Sequence, residues 1–198
     1  MENLDLTVLR ALASWRRAGQ DAVLATVVHT WGSSPRPIGC IMALRGDGMV
    51  MGSVSGGCIE YDLIDRYTKP GAADALAHEG PPQFVKYGVT ADEAHRFGLP
   101  CGGTLQILVE FNPEAEAIEQ LLARLDAGEL VHRRVRLADG AVTLEAAEHP
   151  ADLLIDAQEV VNTFGPGYRM LIIGAGQMSE YLATMALFCG FSVTVCDP

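Results

Sequence analysis

The chain has 198 residues, 49% of them hydrophobic and 20% charged, enough for one buried core and part of a second and too apolar for disorder. Twenty-five acidic residues against 14 basic ones leave a formal charge of −11, which repels phosphate backbones and anionic membranes and argues against nucleic-acid binding. Five cysteines, Cys40, Cys58, Cys101, Cys189 and Cys196, show no C-x-x-C spacing, so free thiols are expected rather than a disulfide framework or a structural zinc site.

The acidic start, Met1-Glu2-Asn3-Leu4-Asp5, lacks the character of a signal peptide, and no apolar run spans a bilayer. A cytoplasmic protein without membrane insertion is the expectation. Leu4, Val8, Leu12 and Trp15 recur at helical spacing, with Asn3 as N-cap and Gly19 as stop. Ala22 to Val28 predicts a buried strand. The segment from Thr30 to Gly39 is broken by glycine and proline and predicts a functional loop. Cys40 to Leu44 and Met49 to Val54 flank Arg45-Gly46-Asp47-Gly48 as a hairpin.

Ile59, Leu63 and Tyr67 predict a helix, which places Cys58 at its N-terminus. Gln83 to Tyr87 and Thr104 to Phe111 read as strands, and Pro113 to Ala127 as a helix. Leu130 to Leu137 and Ala141 to Ala146 form a hairpin about Asp139-Gly140. The expected organisation is a mixed α/β domain rich in hairpins over residues 1–150, a linker over 151–168, and a different unit over 169–198. In that unit Met170 to Ile173, Gly174-Ala175-Gly176-Gln177-Met178-Ser179, Glu180 to Cys189 and Phe191 to Cys196 read as the opening β-α-β of a Rossmann-like domain. Roughly thirty residues are too few for an isolated core, so completion by another chain or by further sequence is expected.

Three segments carry chemistry. In Ser33-Ser34-Pro35-Arg36-Pro37 two hydroxyls and a guanidinium between prolines suit a phosphate or carboxylate. In Ser55-Gly56-Gly57-Cys58-Ile59-Glu60 the helix N-terminus favours the Cys58 thiolate, and Glu60 is near enough to act as base or acceptor. In Cys101-Gly102-Gly103 the glycines uncover backbone amides beside a thiol. The plainer alternatives are a buried structural cysteine at position 58, a strand-entry turn at 101–103 and a surface arginine at position 36. Gly174 and Gly176, with Asp197 about twenty residues on for a ribose, fit a dinucleotide, although Ser179 replaces the usual third small residue.

Taken together, Gly32 to Gly39, Gly52 to Glu60 and Cys101 to Gly103, followed by a nucleotide-type glycine turn, resemble the XdhC/CoxI family of molybdenum hydroxylase maturation factors. The resemblance implies a protein that binds the molybdenum–pterin cofactor, protects it during sulfuration with a cysteine desulfurase, and delivers it to an apo-hydroxylase such as xanthine dehydrogenase. It assigns the cofactor's phosphate to Ser33, Ser34, Arg36 and the amides of Gly56, Gly57, Gly102 and Gly103. The soft metal falls to Cys58 or Cys101. Family members carry a complete C-terminal Rossmann domain, of which this sequence has the opening, and a homo-oligomer is expected. Two other readings stand beside it: an NAD(P)-dependent oxidoreductase using Gly174, Gly176 and Asp197 with Cys101 as catalytic thiol, and a non-catalytic scaffold whose cysteines are structural.

Overall fold

The computed structural model describes residues 4–32, 36–69, 80–88, 104–165 and 168–197. Helix α1 (Leu4–Arg17) is followed by strands β1 (Ala22–Trp31), β2 (Ile41–Arg45) and β3 (Val50–Gly52), helix α2 (Cys58–Thr68), and strands β4 (Gln83–Tyr87) and β5 (Thr104–Phe111). These strands form a five-stranded antiparallel sheet in the order β3-β2-β1-β5-β4. Side chains alternate across it as a strand requires. Val23, Ala25 and Val27 of β1 meet Leu105, Ile107 and Val109 of β5 in a core that also holds Ile59, Leu63 and Tyr67, the buried stripe of α2.

The opposite face carries Ala22, Leu24, Ile41 and Ala43, against which α1 lays Leu6, Val8, Leu9 and Leu12. Helix α3 (Ala115–Asp126) joins that layer through Ile118, Leu121 and Leu125. Gly52 makes the closeness of α1 possible: its φ is +86°, and an added Cβ there would lie 2.6 Å from both the Ile41 carbonyl and Val8 Cγ2.

Strands β6 (Val131–Arg136), β7 (Val142–Ala146), β8 (Leu154–Ile155) and β9 (Glu159–Phe164) build a second, four-stranded antiparallel sheet in the order β7-β6-β9-β8. Residues 151–168, expected as a linker, therefore contain strand: β9 pairs with β6 from Val131↔Phe164 to Arg136↔Glu159. The cause is burial. Phe164 enters the α1–α3 core beside Val131, while Val160 packs with Val135, Val28 and Leu108, tying the two sheets together. Across the same junction Arg133 on β6 donates two parallel hydrogen bonds to Glu110 on β5, at 2.8 and 2.7 Å, with both side chains about 95% buried.

Strands β10 (Arg169–Ile173) and β11 (Ser192–Cys196) pair in parallel about helix α4 (Gln177–Phe188), the expected β-α-β. Among the described residues these strands pair only with each other. Leu171, Ile173, Met178, Met185 and Phe188 are exposed. The expected mixed α/β class with hairpins is what the chain adopts.

Candidate functional site

The site begins with β1. Its apolar run ends at Val28, yet the strand continues to Trp31, because a register shift between Val27 and His29 lets His29, Thr30 and Trp31 pair with Gln106, Leu105 and Thr104. Gly32 then turns the chain out of the sheet, and the loop returns through the Gly39 amide to the Val27 carbonyl (2.8 Å) and the Val27 amide to the Cys40 carbonyl (2.9 Å). The last pair of this register, Trp31 with Thr104, puts the start of β5 beside the end of β1.

Arg36 ties in the second motif. Its Nε donates to the Ser53 carbonyl at 3.3 Å. The guanidinium also sits beside Asp5 and Cys40. Burial raises the pKa of the Asp5 carboxyl and of the Cys40 thiol, and the Arg36 charge opposes both shifts. Asp5, Gly39, Cys40, Asn162 and Thr163 line a cleft there, with Asn162 Nδ2 donating to the Gly39 carbonyl at 3.2 Å. Asp5 and Cys40 are not among the site residues expected from the sequence.

The loop from Ser53 to Gly57 is organised from within, by Glu60. Its Oε1 accepts from Ser53 Oγ (2.7 Å) and from the amides of Val54 (2.9 Å), Ser55 (2.8 Å) and Gly56 (3.2 Å). Its Oε2 accepts from the Gly57 amide at 2.8 Å and from the Ser55 hydroxyl. Burial pushes the Glu60 pKa up, but the hydroxyls of Ser55 and Ser53 and the loop amides outweigh it, leaving the pKa at about 2 against an ordinary 4.5.

Of the two roles expected for Glu60, base or acceptor, the geometry shows the acceptor: it is a buried carboxylate of low basicity, hydrogen-bonded on both oxygens. The amides of Gly56 and Gly57 are donated to Glu60 and to the Ser53 and Ser55 hydroxyls. The arrangement is the N3 half of a capping box: Gly57 is the N-cap of α2, Cys58 its first residue and Glu60 the third. Cys58 thus stands where the dipole and first-turn amides favour a thiolate, and its backbone is what the structure describes.

Ser33, Ser34, Cys101, Gly102 and Gly103 lie outside the described residues. In the C-terminal unit, Gly174 and Gly176 form the turn before α4 as expected, but Asp197 accepts a hydrogen bond from the Ala175 amide inside that turn. The expected ribose acceptor is therefore held by its own glycine loop. Among the described residues no group of three or more His, Cys, Asp or Glu is placed to hold a metal ion. Nor is any helix among them long and apolar enough to cross a membrane.

Residues 15–88, which contain β1, the Arg36 loop and the Glu60-centred loop, match the model of the XdhC and CoxI family. The chain is similar to that family over this segment. Beyond it, the chain is 26% identical over 195 residues to the molybdenum cofactor insertion chaperone PaoD of Escherichia coli K12, covering 96% of this chain and 57% of that protein. It is also 26% identical over 203 residues to a probable xanthine dehydrogenase subunit of Bacillus subtilis 168, covering 90% of this chain and 60% of that one. A crystal structure described as a xanthine dehydrogenase from Bacillus halodurans superposes with a TM-score of 0.70 at 28% identity, over 98% of this chain and 62% of its own. The chain thus spans about three-fifths of the length of these relatives.

Proposed function

We propose that this chain binds the molybdenum–pterin cofactor as cargo, shelters it during sulfuration and passes it to a molybdenum hydroxylase. The observation that carries the reading is the hydrogen bond from Arg36, in the first motif's loop, to the Ser53 carbonyl of the second motif, which brings two of the motifs together. The names of the relatives, one a cofactor insertion chaperone, support the same direction.

In this reading Arg36, with Ser33 and Ser34, takes the cargo's phosphate, and Cys101 or Cys58 meets its sulfur-ligated metal. Glu60 touches no cargo; it fixes the turn that presents Cys58. The partners are an apo-hydroxylase and a cysteine desulfurase, the setting is the cytoplasm, and the working form is a homo-oligomer.

The test is anaerobic titration of the chain with released molybdenum cofactor, beside calorimetric titration with NAD(H) and NADP(H). Cofactor binding that falls in Cys101→Ala with the fold intact is the expected result. Micromolar dinucleotide affinity with no cofactor binding would favour the oxidoreductase instead, and binding of neither would favour a scaffold.

A further inference from the structure

We propose that the cleft between the start of α1 and β9 takes the 2-amino-4-oxopyrimidine end of the cargo's pterin, with the Asp5 carboxylate reading its donor edge; this rests on the cofactor-binding reading above. The cleft has a volume of about 480 Å³, a size that suits a small ring system, and lies where α1 and the Arg36 loop meet the second sheet. Its polar side chains are held in place. Gly39, at φ of +89°, brings the loop so close to β9 that an added Cβ would lie 3.3 Å from Asn162 Oδ1, and Asn162 Nδ2 donates to the Gly39 carbonyl. Thr163, next along β9, has its hydroxyl 2.9 Å from His132 Nδ1, and Asp5 enters from the first turn of α1.

The lining decides the chemistry. Asp5, Asp152, Asn162 and Thr163 line the cleft with Ile38 and Leu153, and no cation is among the described residues that do so. Two carboxylates repel a phosphate or another carboxylate from the cleft. A metal ion would lack a ligand set, since no three described His, Cys, Asp or Glu residues are grouped to hold one. The lining suits a flat, uncharged group rich in N–H donors: Ile38 and Leu153 offer apolar surface to ring faces, and a carboxylate accepts two parallel N–H bonds, as it does from arginine. A 2-amino-4-oxopyrimidine carries such a pair in its ring N3–H and 2-amino group.

Asp5 is suited to accept them. Burial raises the pKa of its carboxyl, as for a group withdrawn from water, where a ligand's donors count most, while the Arg36 charge favours the ionised form. Its two oxygens have about four acceptor positions, so they serve neighbours and a ligand together. Arg36 also donates to the Ser53 carbonyl, so the residue assigned to the cargo's phosphate adjoins the one assigned to its ring.

The experiment uses the 198-residue chain and three probes: released molybdenum cofactor under anaerobic conditions, pterin, and lumazine, in which an oxo group replaces the 2-amino group. Equilibrium dialysis reads all three. Wild type should bind pterin about tenfold or more tighter than lumazine, whose second oxygen would face a carboxylate oxygen. Asp5→Asn turns an NH2 group to that position, so the preference should reverse toward lumazine and cofactor affinity should fall about tenfold. Circular dichroism checks that the variant folds, and the wild-type comparison of the two rings needs no variant. Equal binding of pterin and lumazine by wild type, or an unchanged preference in folded Asp5→Asn, would overturn the site; cofactor binding by the same wild-type sample would leave the reading above standing. Cofactor binding with no binding of either free ring would also overturn it. Pterin selectivity that reverses in Asp5→Asn without any cofactor binding would keep the cleft and end the cofactor reading. If wild type binds none of the three, both fall together.

Discussion

Replacing Glu60 with glutamine tests whether an internal carboxylate builds the loop that presents Cys58. The variant keeps the shape and one acceptor oxygen but turns an NH2 group toward donors, leaving some of the amides of residues 54–57 opposed or unpaired. A pKa lowered from 4.5 to about 2 corresponds to about 3 kcal/mol of preferential stabilisation of the ionised form in the folded chain. Loss of charge-assisted hydrogen bonds on a buried group gives the same order, about 2 to 4 kcal/mol. The sign follows from the lowered folded pKa. The contribution is complete above the unfolded value of about 4.5 and is lost as pH falls toward about 2. Urea denaturation of wild type and Glu60→Gln should differ by about 3 kcal/mol at neutral pH, narrowing to about 1 kcal/mol near pH 3. A difference below about 1 kcal/mol that does not change with pH would refute the reasoning, because the carboxylate would then be a spectator.

Arg133→Ala should cost about 3 to 5 kcal/mol by stranding the Glu110 carboxylate, whereas the double variant Glu110→Leu/Arg133→Met should recover most of it in the same denaturation assay. Gly52→Ala should abolish folding or cost several times more than Gly19→Ala: both glycines have positive φ, but only at Gly52 would the new Cβ meet backbone at 2.6 Å. For Gly19→Ala about 1 kcal/mol is expected, read as a shift of the thermal midpoint. Arg36→Lys keeps a charge but loses the planar fork and its Nε donor to Ser53, so cofactor affinity should fall several-fold in anaerobic equilibrium binding; affinity equal to wild type would make Arg36 a surface residue.

Much of the fold was readable because burial leaves a periodic trace. Ile59, Leu63 and Tyr67 set the α2 stripe, and this alone put Cys58 at a helix N-terminus. Strand β9 was missed because Glu159, Asn162 and Thr163 interrupt the apolar pattern and Gly165-Pro166 follow, although Val160, Val161 and Phe164 carry the burial. The extension of β1 was hidden for another reason: a bulge breaks the two-residue period on which strand reading depends, so the strand was ended at Val28 and Thr30 and Trp31 were placed in the loop. Within the site, an acid three residues after an N-cap signals a capping box, the sequence mark of the loop-building contacts that Glu60 makes. The meeting of Arg36 with Asp5 and Cys40 follows from tertiary packing, and no local pattern announces it.

The paired charges of Glu110 and Arg133 bear on how the molecule comes apart. With each side chain about 95% buried on a different sheet, parting the sheets would expose two ions to a half-apolar junction before water fully enters, so partial separation is unfavourable. Backbone amides of β5 and β6 should then exchange with solvent only through one shared global opening, with matching free energies. The rivet lies six residues along β5 from Thr104, about 20 Å at 3.3 Å per residue. Opening of β5 at its Thr104 end is thereby separated from the rivet, and that end can fray and re-form while the two sheets stay fastened.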